Sequence, residues 1–335
     1  MRFGLTLPHY DFSLPDVRPV TVGAVAEHAR TAERLGFDSV WVSDHFFYSM
    51  ARYGGEEAPL GSLEPLTTLS ALAPMTERVR LGTLVLSAPF RPPAILAKSV
   101  TTLDVLSGGR LDLGIGAGWY EDEFRAFGYR YGSAGERFGI LEETVRALDA
   151  LLPGGPVDLE DGNVRLTHAY NRPRPAQRPR PPIWIGAKGG DRALRLAARH
   201  ADGWNTVWRW SPASYAERVR RARELCEAAD RDPSTLRLSV GLYCVVGEDE
   251  RDLARRWKAM RGWMPGGALD AEDLDAWRAD ALVGPLDQVI ERVGAFAELR
   301  VDEIVVAPAP IPFAIPDPSL VELIAEGLIP AVRTT

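Results

Sequence analysis

Short β-branched runs alternate with amphipathic stretches along almost the whole chain, and this alternation constrains the fold more than any single motif. The spacing predicts strands at Phe3–Leu7, Ser39–Val42, Val79–Val85, Leu111–Ile115, Ile183–Gly186, Gly203–Thr206, Leu236–Val246 and Glu303–Ala307. It predicts helices at Val20–Leu35, Pro65–Met75, Ala94–Leu106, Arg137–Leu152, Arg192–His200, Pro212–Ala229 and Leu286–Leu299. In the first helix Val22, Val25, Ala26, Ala29 and Ala32 recur at helical spacing, and Gly36 ends it. Eight strands with helical material after each argue for a closed parallel (β/α)8 TIM barrel. A doubly wound sheet would show fewer strands per domain and a stronger glycine fingerprint near the start. No linker divides the chain, so residues 1–335 read as one domain. Three excursions break the alternation, at Ser43–Leu63, Pro153–Pro181 and Trp257–Leu282. They read as insertions after strands two, four and seven, segments of the kind that form lids or interfaces.

Composition narrows the partners. A net charge of −7 argues against a nucleic-acid backbone. No apolar run approaches the roughly 20 residues of a membrane span, and no basic-then-apolar leader follows Met1. The two cysteines, Cys226 and Cys244, form no CxxC or metal spacing, which fits a reducing cytoplasm. The expected partner is a small molecule.

In a barrel of this kind chemistry sits at the C-terminal ends of the strands. After strand two come Asp44 and His45, followed by Phe46, Phe47 and Tyr48. An imidazole titrates near neutrality, so His45 is the leading proton-transfer candidate. A structural histidine bonded to backbone, with Asp44 capping the loop, is the alternative. After strand four the chain reads Gly116-Ala117-Gly118-Trp119-Tyr120, bare backbone beside large aromatic surfaces. The pattern does not meet the dinucleotide fingerprint G-x-G-x-x-G. After strand five come Gly186, Ala187, Lys188, Gly189 and Gly190, opening a helix at Asp191. That loop suits an anion such as phosphate or is a plain flexible turn, with Asp191 counting against the anion. Trp204, Trp208 and Trp210 offer faces for a ring system or simple packing surface.

Other chemistries are poorly supported. The five histidines, His9, His28, His45, His168 and His200, show no HxH or HExxH spacing. There is no G-x-S-x-G nucleophile motif.

Four segments together resemble the luciferase-like monooxygenase superfamily, in the branch assigned to the deazaflavin coenzyme F420. They are GFDSVWVSDHFF (Gly36–Phe47), RVRLGTLVLSAPFRPPAILAK (Arg78–Lys98), TLDVLSGGRLDLGIGAGWYEDEF (Thr102–Phe124) and PPIWIGAKGGDRALRLAARHADGWN (Pro181–Asn205). The resemblance runs from Arg2 to about Val306 and implies a barrel binding a flavin or deazaflavin at its C-terminal mouth. It implies that His45, preceded by Asp44, acts at the reacting carbon of the ring. It further implies a non-prolyl cis peptide near Leu84-Val85 behind the ring, and cofactor contacts from Gly116 to Trp119 and from Gly186 to Gly190. A homodimer is implied as well. Two departures stand out. Sugar-phosphate dehydrogenases of the family carry a Glu where this chain has Trp119, and a Trp where it has Ser49. With Phe46, Phe47, Tyr48, Tyr120 and Trp208 at the mouth, an apolar or aromatic substrate fits better than a sugar phosphate.

The leading function is therefore F420-dependent hydride transfer to or from a small organic substrate, with His45 handling the proton. The alternative is an FMN- and oxygen-dependent monooxygenase, since one scaffold serves both. A flavin-binding protein without catalysis is the third.

Overall fold

The computed structural model describes residues 1–269 and 272–333. Eight parallel strands carry the architecture: β1 (Arg2–Thr6), β2 (Ser39–Val42), β3 (Arg80–Thr83), β4 (Leu111–Gly116), β5 (Ile183–Gly186), β6 (Gly203–Trp208), β7 (Arg237–Gly247) and β8 (Glu303–Ala307). Helical chain follows each strand, and the fold is a (β/α)8 barrel. Two compact units divide it, one of residues 1–63, 206–220 and 238–335, the other of residues 64–205 and 221–237.

In the first unit β1 pairs with β2 and β8, and β7 pairs with β8. The register places Gly4 beside Ser39 and beside Val305. Gly4 is required by its neighbours: a Cβ there would lie 2.5 Å from Ser39 Oγ and 2.6 Å from Trp41 Nε1. Trp41 is buried and donates to Ser39 Oγ at 2.7 Å. Ser39 Oγ in turn donates to Glu303, which also accepts from Arg2 Nη2 at 2.9 Å. A fully buried carboxylate is tolerable here because it is paired and hydrogen-bonded.

The second unit repeats the device. Strand β4 pairs with β3 and β5, and β5 pairs with β6. Trp184 lies over Gly203, where a Cβ would come within 2.2 Å of the indole. Its Nε1 donates to Asp112 at 3.2 Å, Asp112 accepts from Arg80 at 2.5 Å, and the Arg237 guanidinium sits 4.8 Å from the ring.

Several predicted boundaries coincide with the structure, including Ser39–Val42, Ile183–Gly186 and Glu303–Ala307. The excursions hold small elements of their own, the second of them strands at Val157 and Val164 where short β-branched runs predict them, and the third needs correction in its bounds. Ser43–Leu63 holds a small antiparallel pair, Phe47–Ser49 with Pro59–Gly61, and a 3-10 turn at Met50–Tyr53. Pro153–Pro181 contains a hairpin, Val157–Asp161 with Val164–Ala169, whose residues are exposed on alternate positions. The third excursion begins later than Trp257, because that residue lies inside the helix Glu250–Trp263 and packs its ring on Trp277 at 5.6 Å. It also ends in a further strand, Leu282–Pro285, paired with β7.

Gly4→Ala tests the steric exchange. The added methyl overlaps two buried groups, so the variant should lose about 1–3 kcal/mol. Denaturant unfolding measures it, and an unchanged midpoint would show that Trp41 and Ser39 relax freely.

Candidate functional site

In the first unit the exit of β2 carries a ladder of polar groups set among rings. His9 is fully buried. Its Nδ1–H donates to the Leu7 carbonyl at 3.0 Å, and its Nε2 accepts from the Ser43 N–H at 3.2 Å. Ser43 Oγ shares a 2.5 Å hydrogen bond with the Tyr10 hydroxyl. Burial pushes the His9 imidazole down to about 4, against the smaller upward pull of its two backbone bonds. His9 is therefore neutral near pH 7, and its tautomer is set by Leu7.

Asp44 and His45 follow directly on Ser43. Asp44 is buried and His45 half-buried. The His45 carbonyl accepts from Ser62 Oγ, which ties the two sides of the first excursion together. The His45 ring meets Tyr48 edge-on at 5.3 Å and lies 6.5 Å from Tyr10. Phe46 is half-buried in the same stretch. Trp208 stacks on Tyr243 at 5.5 Å and meets Phe313 at 5.6 Å, and Phe313 also abuts His9 at 5.0 Å. The unit thus gathers Asp44, His45, Tyr48 and Trp208 with Tyr10, Tyr243 and Phe313.

The second unit holds the glycine segments. The Leu84–Val85 peptide is cis, where the resemblance implies one, and a second cis peptide joins Val207 to Trp208 in the first unit. Leu84 is buried and Val85 half-open. Here the physical reason for the glycines differs from the one read in sequence. A Cβ at Gly116 would lie 2.9 Å from Val85 Cγ2, and one at Gly186 would lie 2.6 Å from Val85 Cγ1. One at Gly114 would strike the Thr83 carbonyl at 2.0 Å. These glycines first make room for a protein side chain, and the result is an apolar platform of Val85 on bare backbone. Gly118 has φ +72°, the left-handed region that favours glycine, and its Cβ would meet Ser87 Oγ at 2.6 Å.

Past that glycine Trp119 is exposed, with Tyr120 at 5.3 Å. The segment is held by Arg137, whose Nε donates to the Gly118 carbonyl at 3.2 Å while its guanidinium covers Tyr131 at 4.0 Å. At the β5 exit, the Ala187 N–H donates to Asn205 at 3.1 Å and its carbonyl accepts from Trp204 Nε1 at 2.9 Å. Trp204 is thereby buried packing. Lys188 is exposed, Gly189 has φ +81°, and Gly190 precedes the helix Asp191–His200 without a side-chain cap. Asp191 turns to Arg221, accepting from Nε at 3.0 Å and Nη2 at 2.5 Å. Its charge is thus neutralised, which removes the objection to an anion at these amides.

Sequence reading missed His9 as a partner of Ser43, together with Tyr10 and Phe313. The β8 exit, Pro308-Ala309-Pro310-Ile311-Pro312-Phe313, is wholly apolar and offers no polar residue that marks a site. Among the described residues no cluster of three or more His, Cys, Asp or Glu could hold a metal. No described helix is long and apolar enough to cross a membrane.

Known proteins resemble this chain over most of its length. The family described as luciferase-like monooxygenase matches residues 1–303. An F420-dependent glucose-6-phosphate dehydrogenase of Amycolatopsis mediterranei is 31% identical over 278 residues, covering 80% of this chain and 79% of that protein. One of Kineococcus radiotolerans is 34% identical, covering 81% and 78%. The crystal structure of the monooxygenase RslO1 from Streptomyces bottropensis has a TM-score of 0.76 at 27% identity, covering 98% of this chain and 99% of that one. An F420-dependent secondary alcohol dehydrogenase in complex with an F420-acetone adduct has a TM-score of 0.79 at 21% identity, covering 99% of each, a likeness of fold.

The neutral His9 gives a signed pH dependence. The unfolded imidazole takes its proton near pH 6.5, and the folded one only near 4. The contribution is complete above about 6.5 and is lost as pH falls toward 4, on the order of 3 kcal/mol. Melting temperature measured from pH 7 to 4 should fall less steeply in His9→Gln than in the wild type. Equal slopes would mean that His9 is accessible to protons in the fold.

Proposed function

The chain belongs to the luciferase-like monooxygenase family, and from that premise we propose that it is an F420-dependent oxidoreductase. In this role it moves a hydride between the deazaflavin and a small apolar or aromatic substrate. The observation that carries the reading is His45, a half-buried imidazole at a strand exit, ringed by Tyr10 and Tyr48 and directly joined to buried Asp44. The named activities of the relatives from Amycolatopsis mediterranei and Kineococcus radiotolerans support the cofactor.

The residues present fit a planar ring with a polar tail. Val85, half-open on Gly116 and Gly186, offers a flat apolar surface, with Leu84 buried behind it. Ala117, Gly118 and Trp119 extend the bare edge. At the β5 exit the segment Gly186 to Gly190 suits a phosphate-bearing tail through the amides of Lys188, Gly189 and Gly190, that of Ala187 being committed to Asn205. A reduced deazaflavin, when bound, supplies a hydride from a ring carbon. His45 gives the accompanying proton to the substrate atom left with the electron pair, and takes it in the reverse direction. Asp44 orients the imidazole. Phe46, Tyr48, Tyr120 and Trp208 are assigned to substrate contact, each ring offering apolar surface.

The same proposal makes the protein a cytoplasmic homodimer that meets small molecules rather than nucleic acid or membrane. Ile95, Val105 and Leu106 are exposed on the helix Pro93–Leu106 and give a second copy an apolar face to cover. The likeness to the monooxygenase RslO1 favours a second reading, FMN- and oxygen-dependent oxidation, on the same residues.

Two measurements test the proposal. Fluorescence titration should give micromolar affinity for F420 and at least tenfold weaker affinity for FMN, about 1.4 kcal/mol. Tighter FMN binding with oxygen consumed in turnover would establish the monooxygenase instead. His45→Ala should lower kcat by about 10²–10⁴ with cofactor affinity little changed. A variant turning over at the wild-type rate, with the wild-type pH profile, would remove His45 from the chemistry.

A further inference from the structure

The loop that carries Asp44 and His45 closes on one residue. The register of β1 with β2 runs to Thr6 beside Trp41, and the Leu7 N–H adds a last bond to the Trp41 carbonyl at 2.9 Å. Beyond that point a side chain continues the pairing. His9 Nε2 lies 3.2 Å from both the N–H and the hydroxyl of Ser43, the residue that opens the loop. The His9 main chain meets the other end, where its carbonyl accepts from the Leu63 N–H at 3.0 Å. Both bounds of the first excursion, Ser43 and Leu63, therefore rest on His9.

The residues beside it strengthen the closure. Tyr10 forms a β-bridge with Ser62, and its hydroxyl bonds to Ser43 Oγ. The Asp11 N–H donates to the Gly61 carbonyl at 3.0 Å, and Asp11 Oδ2 accepts from the Gly61 N–H at 3.1 Å. Ser62 Oγ then donates to the His45 carbonyl. His45 is thus held from two sides, two residues past Ser43 and across from Ser62.

The Ser43 N–H needs an acceptor, and an imidazole offers one only when neutral. The Leu7 carbonyl takes the Nδ1–H of His9 at 3.0 Å, and complete burial disfavours the charged ring. A surface loop of this length is ordinarily mobile. Proton transfer, by contrast, needs its heavy atoms within about 3 Å of each other.

We propose that His9 is a positioning residue: with Nε2 accepting from Ser43 and its carbonyl accepting from Leu63, it closes the loop and fixes the His45 imidazole. The inference rests on His45 being the group that handles the proton.

The test follows the full-length protein, isotopically labelled in its histidines, by NMR as wild type, His9→Leu and His9→Gln. His45→Ala identifies the His45 signals. The wild type should show His9 unprotonated at Nε2 and one set of His45 imidazole signals. His9→Leu keeps the carbonyl and loses the acceptor. It should split or broaden the His45 set while the signals of His28, His168 and His200 stay in place. His9→Gln, whose carboxamide oxygen can accept from Ser43, should restore the single set. A wild-type His9 protonated at Nε2, several His45 sets in the wild type, or an unchanged His45 set in His9→Leu would overturn the proposal. Equal splitting in the Leu and Gln variants would trace the order to the bulk of the ring and would overturn it too. The two wild-type observations decide even where His9→Leu fails to fold. F420 added to the wild type should then move the His45 signals. Signals that stay in place would fault the cofactor assignment and leave the role of His9 standing, because its test is read without cofactor.

Discussion

Bulk on one strand placed against a missing side chain on the next is the constraint on which the rest depends. Trp41 stands over Gly4, Trp184 over Gly203, and Val207 with Trp208 over Gly241. Val85 takes the space left by Gly114, Gly116 and Gly186. Trp184 and Gly203 are register partners, whereas Trp41, two residues beyond Gly4's partner Ser39, lays its indole back over the glycine. Interiors pack near crystal density, and a glycine opposite a tryptophan satisfies that density without displacing either strand. The strand exits, and with them His45 and the Gly186 loop, are held where these exchanges put them.

Polar groups inside this framework are kept by the same economy. Glu303 answers Arg2 and Ser39, Asp112 answers Arg80 and Trp184, and His9 answers Leu7 and Ser43. In these three cases the partner comes from the same strand or from another strand of the barrel or its exit. The polar line through His9, Ser43 and Tyr10 ends one residue from Asp44, so the order of the strand interior extends to the proposed chemistry.

Much of this was legible in the sequence because it rests on local pattern. The period of Val25, Ala26, Ala29 and Ala32 specifies a helix face, and the run from Leu111 to Ile115 specifies a buried strand, which the structure extends by Gly116. The exit rule then picks out Asp44, His45 and Gly116 without any knowledge of packing. What pattern alone cannot supply is the partner across space. Nothing near Gly186 in the chain announces Val85, a hundred residues earlier. The small hairpin at Phe47–Gly61 escaped because its strands are three residues long, too short for a period to show. Phe313 escaped because a prolyl, apolar stretch carries no chemical mark.

The pairing of Trp184 with Gly203 has a consequence for how such a chain changes over time. Neither residue is free to vary while the other stays. A methyl at Gly203 is blocked by the indole, and a smaller residue at Trp184 leaves a void over Gly203. Acceptable alternatives lie two simultaneous steps away, so single-site libraries at either position would return almost nothing. A library that exchanges bulk between the two strands would find the reversed pair, and homologues that differ here should differ at both places together.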